Sequence, residues 1–220
     1  MIPPVVRAEG APQSLAAKLR AGTRAKHRLA EETPFVQRLL AGAVGRSRYG
    51  AYLESLYFVY AAMESALDLH RGHAGLGLLD LPALRRVPSL EEDLAYWRGP
   101  AWRASAAPSE ATRDYAERIR EVTRRRPLML AAHLYTRYLG DLSGGQLLAR
   151  AVERAFGLPG GVGSAFYRFG SPVERARLKE RYRAQIDALP VDAESAESLV
   201  AEARVAFEHN VRLFEELGRP

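Results

Sequence analysis

The chain has 220 residues, of which 47% are hydrophobic and 26% charged, a balance that fits a folded globular domain and excludes the low-hydrophobicity composition of disorder. It contains no cysteine, so disulfides, thiolate metal sites and iron–sulfur clusters are excluded, and any metal must sit on nitrogen or oxygen. A net charge of +6 favours an anionic partner. However, the 32 basic residues are interleaved with 26 acidic ones, without a basic tail or a nucleic-acid-binding motif, which favours a small anionic ligand or an acidic protein over nucleic acid.

Residues 1–12 read as a flexible N-terminal segment ahead of a single domain over 13–218, with no apolar stretch of signal-peptide length. The longest uncharged apolar run, 55–63, is too short to span a bilayer, so the expectation is a cytoplasmic protein with no membrane anchor. Ser14 can cap a first helix reaching about residue 32, and Thr33 followed by Pro34 can cap a short second one. Residues 45–47 introduce a long helix to about residue 70. An irregular connection rich in Gly, Leu and Pro follows over 71–88, and Ser89 with Glu92 has the pattern of a capping box for the next helix, which stops near Gly99. Ser109 caps another helix that ends before Pro127.

An apolar helical pattern then runs over 128–156 and stops at the glycines between 157 and 163. Ser171, Pro172 and Glu174 combine a cap, a proline at the first helical position and a capping glutamate. Asp192 opens the last helix, with Leu199, Ala203, Ala206, Val211 and Phe214 near helical spacing, and Gly218 closes it. Strand signals are almost absent, so the fold class is all-α, a single multi-helix domain.

Residues 140–145 break the helical rules. Gly140, Gly144 and Gly145 would together cost about 3 kcal/mol relative to alanine inside a helix. Glycine lets backbone bend and approach another group, so this stretch predicts a kinked helix laid against a flat ligand or a tightly packed neighbour. Tyr135, Thr136, Arg137, Tyr138 and Asp141 crowd polar groups around the glycines, and buried polar groups need partners, which suits a site better than a packing seam.

In the first helix Arg20, Arg24, His27 and Glu31 fall at i, i+4, i+7 and i+11 and share a face, while Leu15, Leu19 and Leu29 lie largely on another. A lone helical histidine is more often structural than a ligand, but Glu31 one turn on could orient an imidazole. Lys179 and Arg183, one turn apart, read by default as a solvated stripe and alternatively as a grip for carboxylates. His70, His73, His133 and His209 read as surface or structural residues.

The run His133-Leu-Tyr-Thr-Arg-Tyr-Leu-Gly-Asp-Leu-Ser-Gly-Gly-Gln146 closely resembles the signature of the haem oxygenase family. Ser55-Leu56-Tyr57, residues 93–97, Leu178-Lys179 with Tyr182-Arg183, and Ala206-Phe207 with Asn210 and residues 213–217 are similar to other family elements. The resemblance spans roughly residues 15–217. It implies haem sandwiched between the first, proximal helix and a glycine-kinked distal helix, and oxidative cleavage of haem b to biliverdin with release of iron and carbon monoxide, using O2.

By the same resemblance His27 is the iron ligand, Glu31 its hydrogen-bond partner, and Gly140 and Gly144 lie over the haem face. Asp141 is the distal carboxylate supporting a proton-delivering water network, with Arg137, Tyr60, Tyr115, Tyr138 and Asn210 around it. Tyr135, Thr136, Ser143 and Gly145 belong to the distal wall. Lys179, Arg183 and Arg20 would hold the propionates, Arg20 standing where the family commonly has lysine, so charge is kept and geometry is not. Phe207 and Phe214 would pack on the macrocycle or the pocket wall. Attack at the alpha carbon is the expectation.

With no flavin or nicotinamide fingerprint, electrons are expected from a separate reductase or ferredoxin, with the basic surface as a docking face. The rival readings are a haem carrier or sensor without chemistry, another helical enzyme acting on a different small molecule, a nucleic-acid-binding module as the fallback, and a di-iron carboxylate bundle. The last would need Glu-x-x-His motifs, which the sequence lacks.

Overall fold

The computed structural model describes residues 13–158 and 160–219, so the expected flexible segment 1–12 lies outside the described residues. The described residues form helices α1 (Leu15–Glu31), α2 (Pro34–Leu40), α3 (Arg46–Leu69), α4 (Ala74–Leu79), α5 (Val87–Arg98), α6 (Glu110–Arg125), α7 (Leu130–Leu134), α8 (Gly140–Phe156), α9 (Pro172–Asp187) and α10 (Ala193–Gly218). Among them there is no strand, and no helix is long and apolar enough to cross a membrane.

Most helix starts follow the local chemistry of the chain. The Ser14 hydroxyl accepts from Ala17 N at 3.4 Å, and the Asp187 carboxylate at the end of α9 takes the Ala16 N–H at 2.7 Å, so two orphan donors of α1 are satisfied from different parts of the chain. The capping box at Ser171 and Glu174 forms in both directions, and Asp192 caps α10 through Ser195 N at 2.8 Å.

Three local expectations are overturned. Ser89 and Glu92 form no capping box: α5 begins at Val87, and its first N–H groups are taken by the buried carboxylate of Glu64 from α3, at 2.5 Å from Arg86 N and 3.2 Å from Val87 N. A carboxylate brought from another helix outcompetes the local serine because it satisfies two donors and carries the charge that a helix N-terminus favours. The connection over 71–88 is not wholly irregular, since it contains α4, capped by the His73 imidazole, and a short 3₁₀ turn at Pro82–Leu84. Leu29, grouped with Leu15 and Leu19 on one face of α1, does not share their burial and is 50% exposed; Thr23 and Ala30 are buried instead, the Thr23 hydroxyl bonding back to Leu19 O at 2.7 Å. Thr33 occupies the cap position of α2, but its hydroxyl likewise turns back, to Ala30 O at 2.9 Å.

Helix α10 is the spine of the molecule and packs on α1, α2, α6 and α7. Its approach to α1 depends on Gly22, where a Cβ would collide with Val200 Cγ1; the Arg204 guanidinium fastens the same point to Gly22 O at 2.8 Å. Between α7 and α8 the helix departs from α geometry as a π-helical turn at Tyr135–Leu139, just before the glycines. The glycines themselves are α-helical. A π turn inserts an extra residue into the helical repeat, which is how Thr136, Arg137, Gly140 and Asp141 come to face one cleft from both sides of the irregularity.

Candidate functional site

A cleft lies between α1 and the π–α8 segment, with α10 closing one side. It has a wider lobe of about 540 Å³ and a smaller, more apolar lobe of about 160 Å³. The wider one is within the range that holds cofactor-sized ligands. His27, Thr136, Gly140 and Phe207 line both lobes.

On the α1 wall, the His27 ring packs edge-on to Phe207 with centroids 5.6 Å apart, and its Nδ1 is 3.3 Å from the Glu31 carboxylate. A neutral imidazole donating from Nδ1 presents the Nε2 lone pair as its remaining ligand position. On the opposite wall, a Cβ built on Gly140 or Gly144 meets nothing within 4 Å, so these positions face open space. Gly145 differs: a Cβ there would press on the Tyr167 ring at 3.2 Å, which makes it a packing glycine at the edge of the smaller lobe.

Behind the glycines lies a buried polar network. Asp141, 7% exposed, accepts from the Tyr60 hydroxyl and from Arg137 Nη2 at 3.0 Å; Arg137 Nη1 reaches Asn210 Oδ1 at 2.8 Å, and Asn210 Nδ2 reaches the Tyr115 hydroxyl at 3.4 Å. Burial raises the Asp141 carboxyl above its ordinary value, against the pull of Arg137. Tyr60 is raised first by burial and then by the neighbouring Asp141, and burial lifts Tyr115 to about 12, so both phenols keep their protons at neutral pH. Burial works against the Arg137 charge, but Asp141 and the surrounding tyrosines outweigh it and hold the guanidinium protonated.

At the other end of the wider lobe, Arg20 and Arg183 line the wall, with Tyr135 and Ser143 across from them. Lys179 lines neither lobe but is close enough to this pair that partial burial, then Arg183 and Arg20, lower its pKa; the Asp187 carboxylate lines the same lobe. Phe214 stacks on Phe35 with centroids 6.1 Å apart and lines the smaller lobe.

The structure places the sequence-expected site residues on the cleft walls or in the polar network behind them, except Lys179, which lines neither lobe, and Tyr138. Tyr138 packs its ring on Tyr60 at 5.8 Å and Tyr182 at 5.9 Å, but its buried hydroxyl has no partner in the Asp141 network, because the π turn rotates it away from the cleft. Arg24, expected on the His27 face, lines the wider lobe; Thr23, Leu139 and Asp187 line it too, and Tyr52 the smaller one, without having been singled out as site residues. For Tyr52 a signal existed: Tyr49, Tyr52, Leu56 and Tyr60 fall on one stripe of α3, an unusual density of hydroxyls on a buried face. Of the remaining histidines, His133 is fully buried and donates from Nε2 to Glu202 at 3.0 Å, and His209 stacks on Tyr115 at 5.1 Å.

The family profile described as "Heme oxygenase" matches residues 13–216. The chain is 41% identical over 204 residues to the heme oxygenase of Guillardia theta, covering 93% of this chain and 86% of that protein, and 40% identical to heme oxygenase 1 of Nostoc sp. over the same shares. Among solved structures, it matches Synechocystis heme oxygenase-2 in complex with heme and NO with a TM-score of 0.91 and 39% identity, covering 93% of this chain and 85% of that one.

Proposed function

The chain belongs to the haem oxygenase family and is an enzyme of that activity, and from this premise we propose how its own residues hold haem b and direct its cleavage to biliverdin, ferrous iron and carbon monoxide. Bound haem supplies the iron at which O2 is activated, with electrons from a separate reductase or ferredoxin, and its macrocycle is the substrate that is cut. The fit rests on the chemistry of the two walls: an imidazole with one committed nitrogen faces two helical positions without side chains, and a cluster of cations waits at one end.

His27 Nε2 would ligate the iron, with the Glu31 carboxylate fixing its tautomer through Nδ1. Gly140 and Gly144 let the helix backbone approach the haem face, while Tyr135, Thr136, Ser143, Phe207 and Phe214 hold the plane and exclude water. Arg20 and Arg183, with Lys179 near them, would grip the propionates through charge-assisted hydrogen bonds. Such a grip would set the rotation of the macrocycle, and attack at the alpha carbon is the outcome this reading expects.

Asp141 carries the proton work. Its Oδ2 accepts from the Tyr60 hydroxyl and its Oδ1 from Arg137, so the carboxylate is held at a fixed orientation at the cleft wall and can orient water and pass protons from it. A carrier would have no use for a buried carboxylate held in this way beside the open glycines. That single feature, Asp141 behind Gly140 and Gly144 and opposite His27, carries the reading.

Haem reconstitution of the wild type and His27→Ala, followed by visible spectra during turnover with ascorbate or a reductase, tests it. Loss of the Soret band with growth of a biliverdin-like band in the wild type, abolished in His27→Ala, is the expected result. A wild type whose Soret band is stable under reductant and O2 would overturn it.

A further inference from the structure

Tyr52 stands out among the buried polar groups that the proton network has not absorbed. Its ring is held by Phe35 at 5.3 Å, Tyr49 at 6.1 Å and Phe214 at 6.3 Å, and it lines the smaller lobe of the cleft beside Arg137, Asp141 and Asn210. Arg137 commits Nη1 to Asn210 and Nη2 to Asp141, which leaves Nε buried and without a protein partner. The hydroxyls of Tyr49, whose ring packs on Tyr52, and of Tyr167, whose ring packs on Gly145 of the same lobe, are also buried and unpartnered. Three orphaned polar groups in one part of a core, each expensive to leave unsatisfied, call for a shared solution such as an ordered water.

Tyr52 is the group placed to organise it. It shares the wall of the smaller lobe with Arg137 and Asp141, and the Tyr167 ring backs the same lobe at Gly145; burial raises the Tyr52 hydroxyl to about 12. It therefore stays protonated and can both donate and accept.

We propose that Tyr52 is a positioning residue for this activity: its hydroxyl and a water shared with Arg137 Nε and Tyr167 hold the guanidinium plane that keeps Asp141 aimed at the cleft. It touches neither haem nor O2 and acts through Arg137. Tyr52 is the α3 residue of the smaller lobe, whose apolar lining includes Val36, Leu39, Leu147 and Leu148. The inference rests on the function proposed above.

The test is Tyr52→Phe, with Tyr167→Phe as a second variant that removes the other end of the bridge. In the haem-free protein, NMR should find the Arg137 Nε–H protected from solvent exchange in the wild type and exchanging at least tenfold faster in either variant, the loss expected for one hydrogen bond to a charged group. In the haem-loaded protein, kcat should fall about tenfold while haem affinity stays within about twofold, because the propionate and His27 contacts are untouched. Wild-type turnover in Tyr52→Phe together with an unchanged Arg137 Nε–H exchange rate would overturn the proposal. The exchange measurement needs no haem, so failure of the enzymatic reading is distinguishable from failure of this one.

Discussion

Replacing Asp141 with asparagine keeps the shape of the side chain and removes its charge, which isolates the ion pair with Arg137. Both residues are buried, at 7% and 6% exposure, and the pair is closed by contacts of 3.0 and 3.3 Å. Stranding one member of such a pair costs about 3–5 kcal/mol. Part of that is recovered, since Asn210 still holds Arg137 Nη1 at 2.8 Å, and burial already disfavours the Asp141 charge that the substitution removes. The expected loss is about 2–3 kcal/mol. With a urea slope of about 3 kcal/mol/M, the unfolding midpoint of the haem-free protein should fall by roughly 0.8 M. Adding Arg137→Met to Asp141→Asn removes the stranded charge, so the double variant should be more stable than the sum of the single effects by about 2 kcal/mol. In the haem-loaded enzyme Asp141→Asn should lower turnover about 100-fold or more, the contribution of a positioned proton-transfer group. A midpoint within 0.2 M of wild type, or additive effects in the double variant, would refute the view that this pair is strongly coupled.

Other consequences follow from the same geometry. Gly140→Ala faces open space in the free protein, so it should raise haem-free stability by up to about 1 kcal/mol through helix propensity while sharply weakening haem binding; titration of the Soret band beside urea unfolding separates the two. Arg183→Ala should weaken haem binding about tenfold or more and raise the pKa of Lys179 in the haem-free protein by removing a neighbouring cation, a shift readable by lysine NMR. Burial lowers His209 from 6.5 to about 4, so between those values the unfolded chain binds the extra proton; its contribution is full above about pH 6.5 and lost as pH falls toward 4. His209→Gln should flatten that part of the stability–pH curve by about 2 kcal/mol, discounted for the solvent-facing part of the ring, while Asp93, raised to about 6 by burial and acting in the opposite sense, cancels in the comparison of the two proteins. Unfolding midpoints at pH 4 and 7 for both proteins decide it.

Much of this protein is decided locally. Ser14, Ser109, Ser171 and Asp192 start helices where their side chains can take an orphan N–H, and Gly157 ends α8 in the left-handed conformation that costs glycine nothing; those features are short-range and legible in the residues themselves. The i, i+4, i+7 register of Arg20, Arg24 and His27 survives into the wall of the cleft for the same reason, since helical periodicity alone sets a shared face. What the chain could not announce is anything that depends on which helices meet. Glu64 displaces Ser89 as the cap of α5 because α3 happens to pass its N-terminus. Gly22 matters because Val200 lies across from it, and Leu29 is exposed while Leu15 and Leu19 on the same face are buried.

The π turn at Tyr135–Leu139 is the clearest case. Tyr138 and Arg137 are neighbours in sequence with equal claim to the site, yet one side chain enters the Asp141 network and the other is turned onto Tyr182. Local residue types determined that a polar, glycine-rich helix segment would exist. Only tertiary packing, by fixing the extra residue of the turn and supplying Tyr60, Asn210 and Tyr52 from two distant helices, decided which of its polar groups face the cleft.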